Sequence, residues 1–179
     1  MAKQKNIILG VTASIAIYKS IDLIKLFTKR GILVDVIMTK EAREFISPLF
    51  FERFSKRKVY YDLFNSTESF DIEHIALAQR SKVILVAPAT ANIIGKIANG
   101  IYDDLLTCVI AASRAKIFFA PAMNENMYKN PIVQSNIEKL KSYKIEFIGP
   151  RRGMLACGQE GLGCMEDIDK IAKHVIDYL

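Results

Sequence analysis

The chain alternates between short continuous apolar runs and longer stretches whose apolar residues recur three or four apart. The continuous runs are Asn6–Val11, Ile32–Met38, Val83–Ala87, Lys116–Ala120 and Ile145–Ile148. Runs of this length with no polar alternation read as strands buried on both faces. The helical stretches lie between them. Ser14 is placed to cap a helix to Arg30, with Ile17, Tyr18, Ile21, Ile24 and Phe27 on one face and Gly31 at its stop. A short helix follows Thr39 through Ala42 and Ile46, another covers Ile72–Gln79, and Asn92 can cap one over Ile94–Ala98. Further helices are expected over Asp103–Ser113, from Asn130-Pro131 to Lys141, and at the end with Ile168, Ile171, Ala172, Val175 and Ile176. Pro48–Asn65 reads as irregular and aromatic-rich, and residues 149–167 as a Gly-rich flap. Alternating strands and helices imply a six-stranded parallel sheet with helices on both faces, in one α/β domain over residues 1–179.

Two of the apolar runs end alike. One continues into Pro88-Ala89-Thr90-Ala91-Asn92 and the other into Pro121-Ala122-Met123-Asn124. Proline cannot donate to a sheet ladder, so each Pro is expected to mark a strand end. Open parallel sheets bind ligands just beyond the carboxyl ends of their strands, so the doublet proposes where a site lies. The first strand ends in Gly10-Val11-Thr12-Ala13-Ser14-Ile15, which is neither a GxGxxG fingerprint nor a P-loop. It does supply a glycine, two hydroxyls and a helix N-terminus, the parts that hold a phosphate monoester. A capped strand–helix turn with no ligand fits the same residues. Thr39 after the second strand and Thr107 in Asp104-Leu105-Leu106-Thr107 offer further hydroxyls, consistent with a mononucleotide such as FMN.

Few residues carry reactive chemistry. His174 reads as a surface residue, whereas His74 precedes the strand that runs to Pro88 and is either structural or a proton-handling group. Asn124 can bind a carboxylate through its amide or cap a helix beginning at Glu125. Cys157 lies in the flap, where it is either a proton-delivering thiol or a small apolar residue of a surface loop.

Composition narrows the class. The net charge of +6 is modest and its local clusters, Lys56-Arg57-Lys58 and Arg151-Arg152, lack the aromatic interleaving of a nucleic-acid surface. They read as solvated loop charge, or as a rim that attracts an anionic small substrate. Three cysteines with no CxxC pair suit a reduced, cytoplasmic compartment and argue against a disulfide framework or a metal site. No run approaches the roughly 20 apolar residues of a membrane span, and Met1–Asn6 leads into a strand rather than a cleavable leader.

Taken together, the segments resemble the flavin-containing cysteine decarboxylases, from Gly10 to Met165. Pro88-Ala89-Thr90-Ala91-Asn92 is similar to that family's Pro-Ala-Ser/Thr-Ala-Asn motif, and Pro121–Tyr128 to its Pro-x-Met-Asn-x-x-Met-Trp motif. His74-Ile75 and Ala156-Cys157-Gly158 match its other two signatures. The resemblance implies a Rossmann-like or flavodoxin-like three-layer fold that holds FMN. Its holders would be Gly10, Thr12, Ala13, Ser14, Ile15, Thr39, Pro88, Ala89, Thr90, Ala91 and Thr107, with Ala122 beside the flavin. It further implies His74 as the active-site histidine, Asn124 as the group on the substrate carboxylate and Cys157 as the proton donor, with Met127, Leu155 and Ala156 also at the substrate. The implied reaction is decarboxylation of 4'-phosphopantothenoylcysteine to 4'-phosphopantetheine in coenzyme A biosynthesis, through a thioaldehyde and an enethiol. The implied assembly is a homo-oligomer, a trimer or a dodecamer of trimers, with the flavin pocket at a subunit boundary and a separate phosphopantothenate–cysteine ligase as a possible partner. Tyr128 stands where the motif usually has Trp, and Cys164 where bacterial relatives often have Arg, in reach of the substrate phosphate. A peptidyl-cysteine decarboxylase, a flavin prenyltransferase and a non-catalytic flavin-binding regulator are the alternatives. Cys157 favours the coenzyme A enzyme over the first, Pro121–Met127 and Cys157 argue against the second, and the absence of a long acidic extension argues against the third.

Overall fold

A computed structural model describes residues 4–63, 73–156 and 158–179. Among these described residues eight strands and eight α-helices are assigned. The strands are β1 (Asn6–Val11), β2 (Leu33–Met38), β3 (Val59–Tyr60), β4 (Val83–Ala89), β5 (Lys116–Pro121), β6 (Glu146–Phe147), β7 (Arg151–Met154) and β8 (Glu160–Cys164). The helices are α1 (Tyr18–Lys29), α2 (Pro48–Ser55), α3 (Glu73–Arg80), α4 (Ala91–Ala98), α5 (Leu105–Ala112), α6 (Glu125–Lys129), α7 (Pro131–Ser142) and α8 (Ile168–Tyr178). Among the described residues no helix is long and apolar enough to cross a membrane.

The first six strands form one parallel sheet in the order β3-β2-β1-β4-β5-β6, while β7 and β8 pair antiparallel as a separate hairpin. This is the doubly wound order of dinucleotide-binding sheets rather than the flavodoxin order. The chain reverses direction across the sheet between β1 and β4, and the crevice at their carboxyl ends is where such sheets bind ligands. Each face carries its own core. Leu9, Phe27 and Val36 belong to the layer under α1 and α8, and Ile8, Val86 and Leu106 to the layer under α4 and α5. Alternate β1 side chains thus enter opposite layers, as the strand period requires.

Several boundaries differ from expectation. The stretch expected to be irregular contains α2 and the edge strand β3, with Asn65 and the rest of 64–72 outside the described residues. Pro48 at the first helical position fixes the start of α2, and Phe51 and Ser55, one turn apart, face inward. β3 is two residues long, so period-2 alternation could not reveal it; it is recognisable only by the pairing of Val59 with Val36. Thr90 caps α4 in place of Asn92, its side chain accepting from the Ile93 N–H. The flap is the β7–β8 hairpin rather than an irregular lid.

Nor does β4 stop at Pro88. The pairing with β5 shifts between Val86 and Ala89, then resumes as Ala89 against Pro121. A bulge of this kind takes the intervening carbonyls out of the ladder. Two buried hydroxyls supply their partners: Ser20 donates to Ala87 O at 2.7 Å, and Thr12 donates to Pro88 O at 2.7 Å. Both carbonyls lie at buried positions, so losing either donor leaves a costly vacancy in the hydrogen-bond network. We expect Ser20→Ala to lower stability by about 1–3 kcal/mol, readable as a lower urea midpoint at unchanged slope; an unchanged midpoint contradicts this accounting.

Candidate active site

Two clefts open at the carboxyl ends of the central strands. The first, of about 430 Å³, is lined by Thr12, Ala13, Ser14 and Ile15 after β1, Thr39 after β2, Thr90, Ala91 and Asn92 after β4, and Ala122, Met123 and Met127 around the end of β5. The second, of about 480 Å³, lies under the hairpin. Its walls include Lys19, Asn124, Arg151, Met154, Leu155, Ala156, Cys164 and Met165. Ser14, Ile15, Ala122 and Met123 line both, so the clefts share a wall and together form one site of two compartments.

The first compartment is shaped by small residues and hydroxyls. Ser14 caps the 3-10 turn Ile15–Ile17, which runs directly into α1, through its side chain and the Ala16 N–H. The backbone N–H groups of Ala13 and Ser14 find no acceptor among the described residues. Unpaired donors at the start of a helix suit an anion, and Ala13, Ala91 and Ala122 leave room for a flat ring. The Thr12 hydroxyl is already committed, since it bonds Pro88 O and receives the Thr90 N–H at 3.3 Å. Thr39 is largely buried and caps the turn that follows β2, accepting from the Ala42 N–H at 3.4 Å. The donor set and the floor fit FMN: Ala13 and Ser14 would hold the phosphate, and Ala122 would face the ring.

Four residues expected at the flavin do not line the compartment. Thr107 is fully buried in a capping box with Asp104: its hydroxyl donates to Asp104 O and receives the Asp104 N–H. Gly10 is bare because Leu106 fills its space, a Cβ there standing 2.7 Å from Leu106 Cδ1. Pro88 and Ala89 are buried strand residues that set the floor without lining it. His74 sits half-buried on α3, and it lines neither cleft. Cys157 lies outside the described residues.

Asn124 takes the helix-capping role its sequence offered and also stands at a cleft. It caps α6, its Oδ1 accepting the Asn126 N–H at 2.8 Å, and it lines the second compartment. Because the oxygen is held by the cap, the amide NH₂ is the end left for a ligand. That is a donor pair suited to a carboxylate.

The hairpin is docked rather than loose. The Met123 N–H donates to Gly163 O at 3.0 Å, and the Leu162 N–H to Glu125 Oε1 at 3.1 Å. A Cβ on Gly163 would stand 2.1 Å from Met123 O, a backbone atom, so that position requires glycine; one on Gly161 would meet the side-chain ends of Glu125 and Leu155, at 2.9 Å from Oε2 and 3.0 Å from Cδ1, which would have to move. Leu155 packs across the same two glycines, which ties the start of the hairpin tip to its base. Glu125 and Gly163, which dock the hairpin, are residues that sequence reasoning passed over. The available signal was the Gly161-Leu162-Gly163 spacing, which bares one face of a strand for close approach.

Charge around the site is paired by position. Asp104 borders the first compartment and, with Asp103, holds Lys96 Nζ at 3.2 and 2.7 Å. Burial works against the Lys96 ammonium, but the two aspartates outweigh it and its pKa is raised. The Asp103 carboxyl is lowered by its hydrogen bond to Lys96. Glu125 is lowered by Lys129 first and by the Leu162 N–H second. Cys108, away from both clefts, is a thiol whose pKa is raised by burial.

Comparison with known proteins places these features in company. The family model described as Flavoprotein matches residues 1–179. The chain is 46% identical over 177 residues to the "Coenzyme A biosynthesis bifunctional protein CoaBC" of Borreliella burgdorferi, covering 99% of this chain and 45% of that protein. It is 42% identical over 177 residues to the "Probable phosphopantothenoylcysteine decarboxylase" of Streptococcus mutans, covering 98% and 99%. The chain thus spans less than half the length of the bifunctional relatives it matches. Among solved structures it superposes on a cysteine-to-serine mutant of PPC decarboxylase complexed with pantothenoylaminoethenethiol, with TM-score 0.88, 30% identity and 98% of each chain covered. It also superposes on the FMN-dependent cysteine decarboxylase SpaF, with TM-score 0.83, 26% identity and 97% of each chain covered.

The lowered Glu125 carboxyl has a pH consequence. A group whose folded pKa is depressed contributes stability above its unfolded pKa and loses it as pH falls through the folded value. Hydrogen-exchange protection of the Leu162 N–H, corrected for intrinsic rates, should therefore weaken below the usual carboxylate range in the wild type and stay flat in Glu125→Gln. Equal pH dependence in both proteins refutes Glu125 as the docking group. Gly163→Ala should expose the Met123 N–H to exchange under neutral conditions; unchanged protection there refutes the contact.

Proposed function

Since the chain belongs to the Flavoprotein family, we propose that it is an FMN-dependent decarboxylase of 4'-phosphopantothenoylcysteine that yields 4'-phosphopantetheine for coenzyme A. The observation that carries this reading is the shared wall. The compartment suited to FMN meets the compartment bearing the Asn124 amide at Ala122 and Met123. A carboxylate bound at Asn124 therefore sits one residue's width from the place for a flavin ring. The named relatives, and the enethiol held by the superposing PPC decarboxylase mutant, support the same chemistry.

Bound FMN supplies an acceptor for oxidation of the substrate's CH₂–SH to a thioaldehyde and later a donor for the return of hydride. The chain's residues do the rest. Asn124 Nδ2 holds the carboxylate until carbon dioxide leaves, its oxygen locked in the α6 cap so that the donor end faces the substrate. The thiocarbonyl accepts the electrons released, giving an enethiol. Cys157 then protonates that enethiol. The docked base of the hairpin, through Gly163 and Glu125, keeps the flap over the compartment and water out of it.

His74 lines neither cleft of its own chain, so the reading requires a second copy to bring it in. The rim supports a homo-oligomer, trimer or larger. Ile15, Tyr18, Phe45, Met127 and Met154 are large apolar side chains left exposed around the two mouths. A cluster of this kind marks a covered surface. The whole of residues 1–179 acts as one decarboxylase domain, and the free thiols of Cys108 and Cys164 support a reducing, cytoplasmic setting. A phosphopantothenate–cysteine ligase as a separate partner follows from the bifunctional relatives.

The test is turnover of 4'-phosphopantothenoylcysteine by the yellow protein, with product mass read directly. Conversion to phosphopantetheine is expected; turnover of a C-terminal cysteine peptide in its place refutes the substrate. Cys157→Ser should accumulate the enethiol. His74→Asn and Asn124→Ala should each be inactive alone, yet regain activity when co-expressed, because mixed oligomers contain intact composite sites. No recovery in the mixture refutes the shared site.

A further inference from the structure

Charge in the first compartment is one-sided. Its lining includes two carboxylates, Glu41 and Asp104, and among the described residues no lysine, arginine or histidine. The two carboxylates differ in their surroundings. Asp104 Oδ1 accepts the Thr107 N–H at 2.8 Å, and Oδ2 stands 3.2 Å from Lys96 Nζ, so its charge is answered within the chain. Glu41 opens the 3-10 turn Glu41–Glu44 and is exposed. Among the described residues its side chain has no ion pair and no hydrogen bond. Lys40, its neighbour in the chain, lines the adjoining cleft of about 400 Å³ instead.

The sheet order decides which part of the cofactor Glu41 meets. Ala13 and Ser14 follow β1, Glu41 follows β2 beside it, and Ala122 follows β5, two strands away on the other side. The Thr39 N–H donates to Val11 O at 3.0 Å, which ties the end of β2 to the end of β1. The compartment therefore has an anion end between β1 and β2 and a ring end at β5. Glu41 stands at the anion end. A phosphate monoester carries close to two negative charges at neutral pH. Main-chain N–H groups would hold it there with an unanswered carboxylate on the same wall, and like charges repel.

We propose that Glu41 sets how firmly the chain retains FMN: its carboxylate opposes the cofactor's phosphate, so FMN is held reversibly and the loaded fraction follows the supply of free FMN. The proposal rests on the flavin assignment and is independent of which cysteine compound is decarboxylated. Mass action then links loading to folded stability, since a ligand that binds only the folded chain stabilises it in proportion to its saturation.

The experiment dilutes the holoprotein and reads released flavin by its fluorescence, for FMN and for riboflavin loaded by exchange. Wild type is compared with Glu41→Gln and with Glu44→Gln, which removes an exposed carboxylate of the same turn that lines neither compartment. In Glu41→Gln the Kd for FMN should fall about 3- to 10-fold while that for riboflavin stays within about 2-fold. The gap between wild type and Glu41→Gln should close as salt is raised, because screening shortens the reach of the repulsion. Glu44→Gln should leave both constants near the wild-type values. Equal changes for FMN and riboflavin overturn the proposal, since Glu41 would then act on the ring or the ribityl chain. Weaker FMN binding in Glu41→Gln overturns it as well, by making Glu41 a ligand of the cofactor. An effect of equal size in Glu44→Gln reduces it to net charge and refutes it. Should the wild type hold neither flavin, the flavin assignment itself fails and the proposal falls with it; unchanged FMN binding in Glu41→Gln defeats the proposal alone.

Discussion

The Thr12 hydroxyl holds the site together. It donates to Pro88 O and accepts from the Thr90 N–H, so one side chain at the end of β1 fixes the path of the chain leaving β4. From there main-chain bonds carry the geometry outward. The Ala122 N–H donates to Ala89 O, and the Met123 N–H to Gly163 O. The ends of three elements, β4, β5 and the hairpin, are thereby set from the switch point between β1 and β4. Each buried bond in this relay is costly to leave unmade, so the relay is a constraint on the sequence as well as a result of it.

The constraint explains the division of the site. A proline in mid-strand removes a ladder donor and forces a bulge, which usually weakens a sheet. Here the freed carbonyls are taken by Thr12 and Ser20, and the chain can resume pairing at Ala89 before turning into α4. The turn leaves Thr90 as a cap and Ala91 as part of the floor of one compartment. The parallel ending of β5 leaves Ala122 as the shared wall and Asn124 as a cap whose NH₂ is free for a ligand. Two strand ends with similar sequences thus take different tasks because one is braced from β1 and the other from the hairpin.

Much of this was legible in the sequence. Continuous apolar runs gave the central strands, and the cap residues Ser14 and Asn130 marked helix starts that the fold retains. The two Ala-Pro-Ala endings pointed to the end of the sheet where both clefts open. The rest was hidden for physical reasons. β3 is too short to show a period. The roles of Gly10 and Thr107 depend on Leu106 and Asp104, contacts that a hydroxyl-and-glycine pattern cannot distinguish from ligand binding. His74 lines neither cleft of its own chain, and a hydrogen-bonding residue on a helix before a strand gives no signal of where that helix faces.

The central claim is that flavin and substrate meet at the wall formed by Ala122 and Met123. A crystal structure of the yellow protein with FMN and a phosphopantothenoyl ligand tests it most directly. The account predicts the flavin ring against Ala122, its phosphate on the Ala13 and Ser14 N–H groups, and the ligand carboxylate on Asn124 Nδ2. A flavin lodged in another groove of the protein, or a ligand that makes no contact with Asn124, would contradict it.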